Sequence, residues 1–528
     1  MTQDGQSAGP KPAPLSWASI PNKFQIFIVC SIRMVDFFQQ AALQAYMFYQ
    51  LKSFSPNADD GQISFEAGVL QGVFTAAQIF TGVIWGRVMD SPKFGRKRVV
   101  LISLVGQAVS CVAVAFSRSF LSASIWRLLG GAVNATVPGA RTVLAESTEK
   151  KYHSRTFLVL PLAWNIANIF GPIFGGLLSD PVKHYPGLFG ANSTFGGDTG
   201  VVWLTKFPYA APNLFCALVL LADALLVWMG MSETLQTRKH VRDRGLEWAE
   251  NVHYHARKLI FSRFGYSQIG QGEESSPDTV VDDENDPTST PLNPITSKEP
   301  EALAAPTPPF YQAITRNVIL VLLTVAILDF QMGGFTTLWT IFLSTARRSD
   351  EQTNAIQLPF TFTGGLGFSL PSIGISMSLL GFAGIALQLT LYPKVNARFG
   401  LLRSTRWALL VFPIPYAIAP YLSLLNSVRF LLWVLLVVVA VLQVAARTFA
   451  VPGIVLLMNN ASPSPAMLGT IHGMGAATSS AFRTIGPIVA GRWFGQGLDR
   501  GVVGWAWWWL SLVSLFGFVP SYWAKDGG

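Results

Sequence analysis

The sequence predicts an all-α polytopic membrane protein with twelve transmembrane helices in two six-helix halves. Three observations lead there. Charged residues make up 13% of the 528 residues, against roughly 25% in soluble globular domains, and the mean hydropathy is +0.39. Twelve apolar segments reach the roughly 20 residues that cross a bilayer as a helix. Lysine and arginine collect in short turns between those segments and fall on one side: Arg96, Lys97 and Arg98; Lys150, Lys151 and Arg155; Arg398, Arg403 and Arg406. Basic turns mark the cytosolic side, and an even number of crossings then puts both termini there. The net charge of +9 belongs to this topology rather than to a basic binding face, so no nucleic-acid partner is expected.

In order, a polar cytosolic tail occupies residues 1–23, with Pro10, Pro12 and Pro14 and without the layout of a cleavable signal peptide. The first bundle, 24–232, holds segments at roughly 24–50, 65–89, 98–117, 121–145, 156–179 and 209–231. Residues 233–315 contain no spanning segment. They run from a basic start through a stretch, Leu246 to Phe264, able to form a surface helix, to an acidic patch around Asp282 and Asp286 and a Pro-rich end. Such composition buries no core, so a mostly disordered cytosolic linker is expected. The second bundle, 316–528, holds segments at roughly 316–345, 371–392, 404–424, 428–457, 467–494 and 505–524. A basic turn at Lys394–Arg406 answers the one at Arg96. Paired halves of this kind place substrate at the midplane between them. Cys30, Cys111 and Cys216 lie inside apolar segments and read as small buried residues. Asn192-Ser193-Thr194 in the outward loop forms a glycosylation sequon. Trp505, Trp507, Trp508 and Trp509 are expected to anchor at a membrane interface.

The turn from Gly86 to Val99 organises the first half. Gly86 is expected to thin its helix for close packing, Asp90 to face a neighbouring helix N-terminus, and Gly95 to make the tight turn before Arg96 and Lys97. These residues resemble motif A of the major facilitator superfamily, with four residues rather than two between Asp90 and Gly95. In the fifth segment, Gly171-Pro172-Ile173-Phe174-Gly175-Gly176 is similar to motif C, the signature of that superfamily's antiporters. Small residues there let helices approach, and Pro172 removes a backbone donor. Arg127-Leu128-Leu129-Gly130-Gly131 resembles motif B, whose arginine the family links to proton coupling; a snorkelling Arg127 is the plain alternative. Ser232-Glu233-Thr234 resembles the sequence that closes the first half in the family. Glu233 would there join Glu146 and the basic turn in a cytosolic charge cluster.

Ionisable groups inside membrane helices are costly and therefore candidates for function. Arg33 and Asp36 share a face with Gln40 and Gln44 in the first segment, either as a self-neutralising pair or as a proton or substrate site. The fourth segment adds Arg127, Asn134 and Arg141, the tenth Gln443 and Arg447, and the eleventh, less prominently, His472 and Arg483. Asp329 falls near mid-membrane in the seventh, where it either pairs with another helix or stays protonated. Arg483 with Gly486-Pro487 echoes the fifth segment. Arg33-x-x-Asp36 and the Gly364–Ser369 loop resemble the twelve-helix drug:proton antiporter branch, in particular its fungal zinc-induced-facilitator-like subgroup, where Glu and Pro usually stand in place of Asp36 and Phe37.

The resemblance implies a secondary transporter, not an enzyme. It would work as a monomer in the plasma membrane, or alternatively the vacuolar membrane, exporting a small organic compound against protons. No cofactor or metal is expected. An importer of a nutrient or metal chelate, and a non-transporting sensor, are the alternatives.

Overall fold

The computed structural model describes residues 21–149, 152, 156, 159–263, 314–347, 357–461 and 468–524. The N-terminal tail through residue 20, the turn with Lys150, Lys151 and Arg155, and the acidic and Pro-rich part of the linker lie outside the described residues. The first half contains α1 (Lys23–Phe54), α2 (Asp60–Asp90), α3 (Gly95–Ala115), α4 (Phe120–Ala132), α5 (Thr136–Ser147), α6 (Val159–Leu178) and α7 (Ala210–Gly230), followed by α8 (Arg244–Arg263). The second contains α9 (Arg316–Ser344), α10 (Leu370–Phe399), α11 (Leu401–Val411), α12 (Arg429–Asn460), α13 (Leu468–Asp499) and α14 (Trp505–Trp523). Among the described residues, nine helical segments are long and apolar enough to cross a membrane. The other three predicted segments are helical as well: the fourth as α4 and α5, the eleventh as α13 and the twelfth as α14.

Local chemistry sets several of the ends. Asp59 accepts from the Gln62 N–H at 3.0 Å to open α2, and Thr315 does the same for Val318 at 3.2 Å to open α9, each satisfying a donor that the first helical turn leaves over. Gly95 starts α3 with φ +77°, a conformation that costs glycine little. The fourth segment is not one helix. Asn134 Oδ1 accepts from the backbone N–H of Thr136 at 3.0 Å, so a side chain competes with the helical ladder and the chain breaks at residues 133–135 before α5 begins. The ninth segment likewise passes from α11 through a short helix, Pro413–Ile418, into a 3-10 turn, Ala419–Leu425.

The halves meet along two long helix crossings, α2 with α13 and α6 with α10. On α2, a Cβ at Gly68 would strike the carbonyl of Pro487 and one at Gly72 that of Thr484; Gly495 lies equally tight on Gly61. On α6, a Cβ at Gly176 would strike the Leu370 carbonyl, and Gly374 of α10 leaves room for the Pro172 carbonyl. These contacts lie toward one end of the molecule. There Leu43, Met47 and Leu51 of α1 also join Trp339 and Phe342 of α9 in one apolar cluster that bridges the halves. Toward the end that carries the basic turns, Gly82 and Gly86 of α2 and Gly473 of α13 have nothing within 4 Å of a would-be Cβ. The bundles are closed at one end and parted at the other. Gly86, expected to allow close packing, faces open space here: this end of α2 packs through Trp85, Val88 and Met89 onto Val99 and Ala135 of its own half, and the face that carries Gly86 is left uncovered.

At the closed end the Tyr49 hydroxyl of α1 donates to the Phe368 carbonyl at 2.6 Å, across the two halves. Tyr49→Phe removes a bond that ties the halves together at this end. A loss of about 1 kcal/mol should shift the balance of states about fivefold away from this arrangement, readable as a changed distance distribution between spin labels placed on the two halves at this end.

The tryptophan run divides by face. Trp509 is exposed, but Trp507 is fully buried among Phe335, Trp339 and Phe342, with ring centroids 5.7 to 6.4 Å apart. It is a core residue rather than an interface anchor. The stretch expected as a surface helix is α8; Trp248 packs on Trp228 of α7 at 5.8 Å, and just before it Asp243 binds Lys97 Nζ at 2.6 Å. Beyond Asp243 the pair Arg242–Glu247 is exposed, and its hydrogen bond holds the Glu247 carboxyl below the ordinary carboxylate range.

Candidate functional site

Two constellations of charge stand out, one buried midway along the bundles and one at the parted end. The buried one centres on Asp36. Its carboxylate accepts from Arg33 at 2.6 Å, the Thr136 hydroxyl at 2.9 Å, Asn134 Nδ2 at 3.0 Å and Gln40 Nε2 at 3.3 Å. Arg33 also donates to Thr136 Oγ1 at 2.8 Å and stacks on Phe37 at 4.2 Å. Asp36 and Arg33 are 1% and 6% exposed. The break before α5 is what brings Asn134 and Thr136 to this carboxylate. Gln44 is buried on the same face two turns further on and stands outside the cluster.

Arg127 does not snorkel. It is buried at 3% exposure, donates to Gln39 Oε1 at 3.0 Å and lies 4.4 Å over the Phe74 ring. Gln39 in turn donates to Gln107 Oε1 at 3.4 Å, and Gln107 to Ser103 Oγ at 3.3 Å. Sequence reasoning followed the Asp36–Gln40–Gln44 face and missed this second row. Ser103 and Gln107, four apart in an apolar helix, were the available signal.

Across the cleft Asp329 is half-buried in α9, and the charges facing it are Arg483 of α13 and Arg447 of α12, with Ser479 alongside. Arg447 lies 3.1 Å from the ring centre of Trp164 on α6, a cation–π contact that spans the halves. Gln443, one turn before Arg447, is buried beside Tyr416. On α6, Asn165 Nδ2 donates to Gln388 Oε1 of α10 at 2.8 Å. Gly171 and Gly175 face α1, where a Cβ would strike the Phe38 and Ala42 carbonyls, whereas Gly176 faces α10. Motif C thus serves two packing surfaces.

At the parted end Arg96 carries the second constellation. Its guanidinium binds Asp90 and, at 3.0 Å, Glu146; Glu146 also accepts from Thr234. Asp90 faces this guanidinium and not a helix N-terminus. That place belongs to Glu233, whose carboxylate accepts from the backbone N–H groups of Arg96 and Lys97 at 2.9 and 3.2 Å, and of Thr234 and Leu235 at 3.0 and 3.1 Å. A carboxylate at a helix start satisfies orphan donors and complements the dipole. Glu233→Ala should therefore lower stability by about 1–2 kcal/mol. Asp90→Asn, at a side chain 71% exposed, should cost less than about 1 kcal/mol. Thermal unfolding of the purified protein in detergent would rank the two, and an equal loss would contradict this reading.

Two helix bundles that meet at one end and enclose charged residues at mid-depth form the architecture of a secondary membrane transporter. Residues 26–347 match the Major Facilitator Superfamily. The chain is similar to the Aspergillus fumigatus Major facilitator superfamily multidrug transporter mfsB, at 31% identity covering 97% of this chain and 84% of that protein. It is similar to Protein ZINC INDUCED FACILITATOR-LIKE 1 of Arabidopsis thaliana, at 24% identity covering 89% and 83%. Its fold also matches the crystal structure of a D-xylose–proton symporter, with a TM-score of 0.61 and 12% identity over 96% of this chain and 98% of that one. The chain belongs to the major facilitator superfamily: it is a multi-pass membrane transporter of small molecules and not an enzyme.

Proposed function

We propose that this transporter is a proton-coupled antiporter that exports a small organic compound by alternating access, with the ends bearing the basic turns in the cytosol and the plasma membrane as its site. The observation that carries the reading is the Asp36 carboxylate, buried at mid-depth and bound by Arg33, Thr136, Asn134 and Gln40. A group so placed changes its neighbours when it takes a proton, and for a proton to drive the cycle the two orientations must bind it with different affinity. Asp329 is the second coupling candidate. The Gly171–Gly176 motif supports antiport, and the likeness to a protein named as a multidrug transporter supports a small organic cargo. The zinc-induced-facilitator-like assignment rests on Arg33-x-x-Asp36, on the Gly364–Ser369 loop and on the 24% likeness to the Arabidopsis protein.

With the basic turns in the cytosol, the parted end faces the cytosol and the cleft is poised to load cargo from inside. The side-chain partners of Arg96, Asp90 and Glu146, both lie in the first half, and Asp90, though paired with it, is 71% exposed, so this pair is placed to meet the second half when the cleft closes, as a latch on the outward-facing state. The test is accumulation of labelled organic compounds into inside-out vesicles under an imposed pH gradient, with Asp36→Asn and Asp329→Asn alongside. Gradient-driven accumulation lost in either variant supports coupling there; accumulation intact in both overturns it.

A further inference from the structure

The cleft's charges do not balance. Arg33 and Asp36 neutralise one another, and Arg127 is walled in beneath Gln39 and Phe74. What remains open to the cleft is Arg141 from the first half, with Arg483 and Arg447 from the second, and Asp329 as their carboxylate. Arg141 and Arg483 are both exposed, yet each lies within electrostatic range of the other, and Arg483 also faces Arg447. Arg483 adjoins Thr484, whose hydroxyl meets that of Thr75 on α2 at 3.0 Å across the halves, so its exposure is to the space between them. His472 lies within reach of Arg141 on the same side. Cations are expensive inside a membrane unless paired, and closing the cleft pushes Arg141 and Arg483 toward each other while stripping their water. Like charges brought together from opposite halves oppose closure unless an anion sits between them. Guanidinium groups meet carboxylates through paired, planar hydrogen bonds.

We propose that the cargo is an organic anion of the carboxylate class, bound between Arg141 and Arg483, with Arg447 held in place on Trp164 as a third contact. This assignment rests on the transport reading above but not on the direction of coupling. The anion does for closure what no side chain of the cleft does: it bridges a guanidinium on each half, so the loaded carrier closes more readily than the empty one.

Three probes of one shape and different charge test it on the purified full chain: 2-naphthoate, the neutral 2-naphthamide and the cationic 2-naphthylmethylammonium. Binding is read by quenching of tryptophan fluorescence without any gradient. The anion should bind at least about tenfold more tightly than the other two, the effect of one hydrogen-bonded charge pair. Arg141→Gln and Arg483→Gln should each remove most of that preference, and Arg483→Lys should restore part of it. Both side chains are exposed, and elution as a monodisperse peak checks that each variant is folded. Naphthoate binding no tighter than the cation, or absent at any soluble concentration, or unchanged in both glutamine variants, overturns the proposal. Accumulation of naphthoate in vesicles then separates the two readings: uptake that follows the proton flow instead of opposing it would overturn antiport and leave the anion site standing.

Discussion

Asp36→Asn is expected to abolish gradient-driven transport, and Asp36→Ala to destabilise the protein by about 3–5 kcal/mol, the usual cost of leaving one partner of a buried ion pair alone. Four donors converge on this carboxylate, from Arg33, Thr136, Asn134 and Gln40, and Arg33 is 6% exposed with no other carboxylate among its named partners. Removing the charge strands the guanidinium. The informative companion is Arg33→Met with Asp36→Leu. Replacing both members of a buried pair by apolar groups is often close to neutral, so the double variant should recover most of the stability lost by Asp36→Ala. If Asp36 serves only to hold α1 against α5, the double variant transports; if it carries the proton, the variant is folded and inactive. Thermal unfolding and vesicle uptake measured on the same preparations separate the two roles.

Gly68→Val is expected to push the halves apart at the closed end. A Cβ there meets the Pro487 carbonyl, which belongs to backbone and cannot swing away as a side chain would. Overpacking of this kind costs about 1–3 kcal/mol. Paid by the present arrangement alone, it shifts the balance of orientations roughly five- to 150-fold. The readout is the reactivity of a cysteine introduced in place of Leu43, which should rise, together with loss of transport. Unchanged reactivity would mean that α2 and α13 slide past the added methyls and that the crossing does not control opening. Gly86→Val makes the natural contrast. It has open space around it here, so it should leave this arrangement intact, and any loss of transport would place its contact in the state where the parted end has closed.

The spans were legible in the sequence because bilayer thickness imposes a length that apolar runs display directly. What escaped were features set by partners distant in sequence. Glu233 and Asp90 are equally plausible carboxylates beside a basic turn, and only the fold brings the former, 137 residues away from Arg96, onto the N-terminus of α3. Asn134 was visible as a polar residue, but the apolar pattern continues on both sides of it, so the break that turns it toward Asp36 left no trace in hydropathy. Trp507 looked like its neighbours because composition cannot tell which side of a helix faces protein. Arg127 was ambiguous for the same reason: six residues from a helix end, it was within reach of either the surface or the interior.

The two crossings between the halves share one construction, a proline carbonyl of one half set against a glycine of the other: Pro172 on Gly374 and Pro487 on Gly68. Each is main chain bearing on main chain. Rocking about these two contacts requires no side chain to leave the way, and the side-chain bonds that cross beside them, Asn165–Gln388 and Thr75–Thr484, are the ones the motion must stretch. The construction also puts two duties on different atoms: a substitution among the side chains lining the cleft changes what they meet there and leaves these backbone bearings as they are.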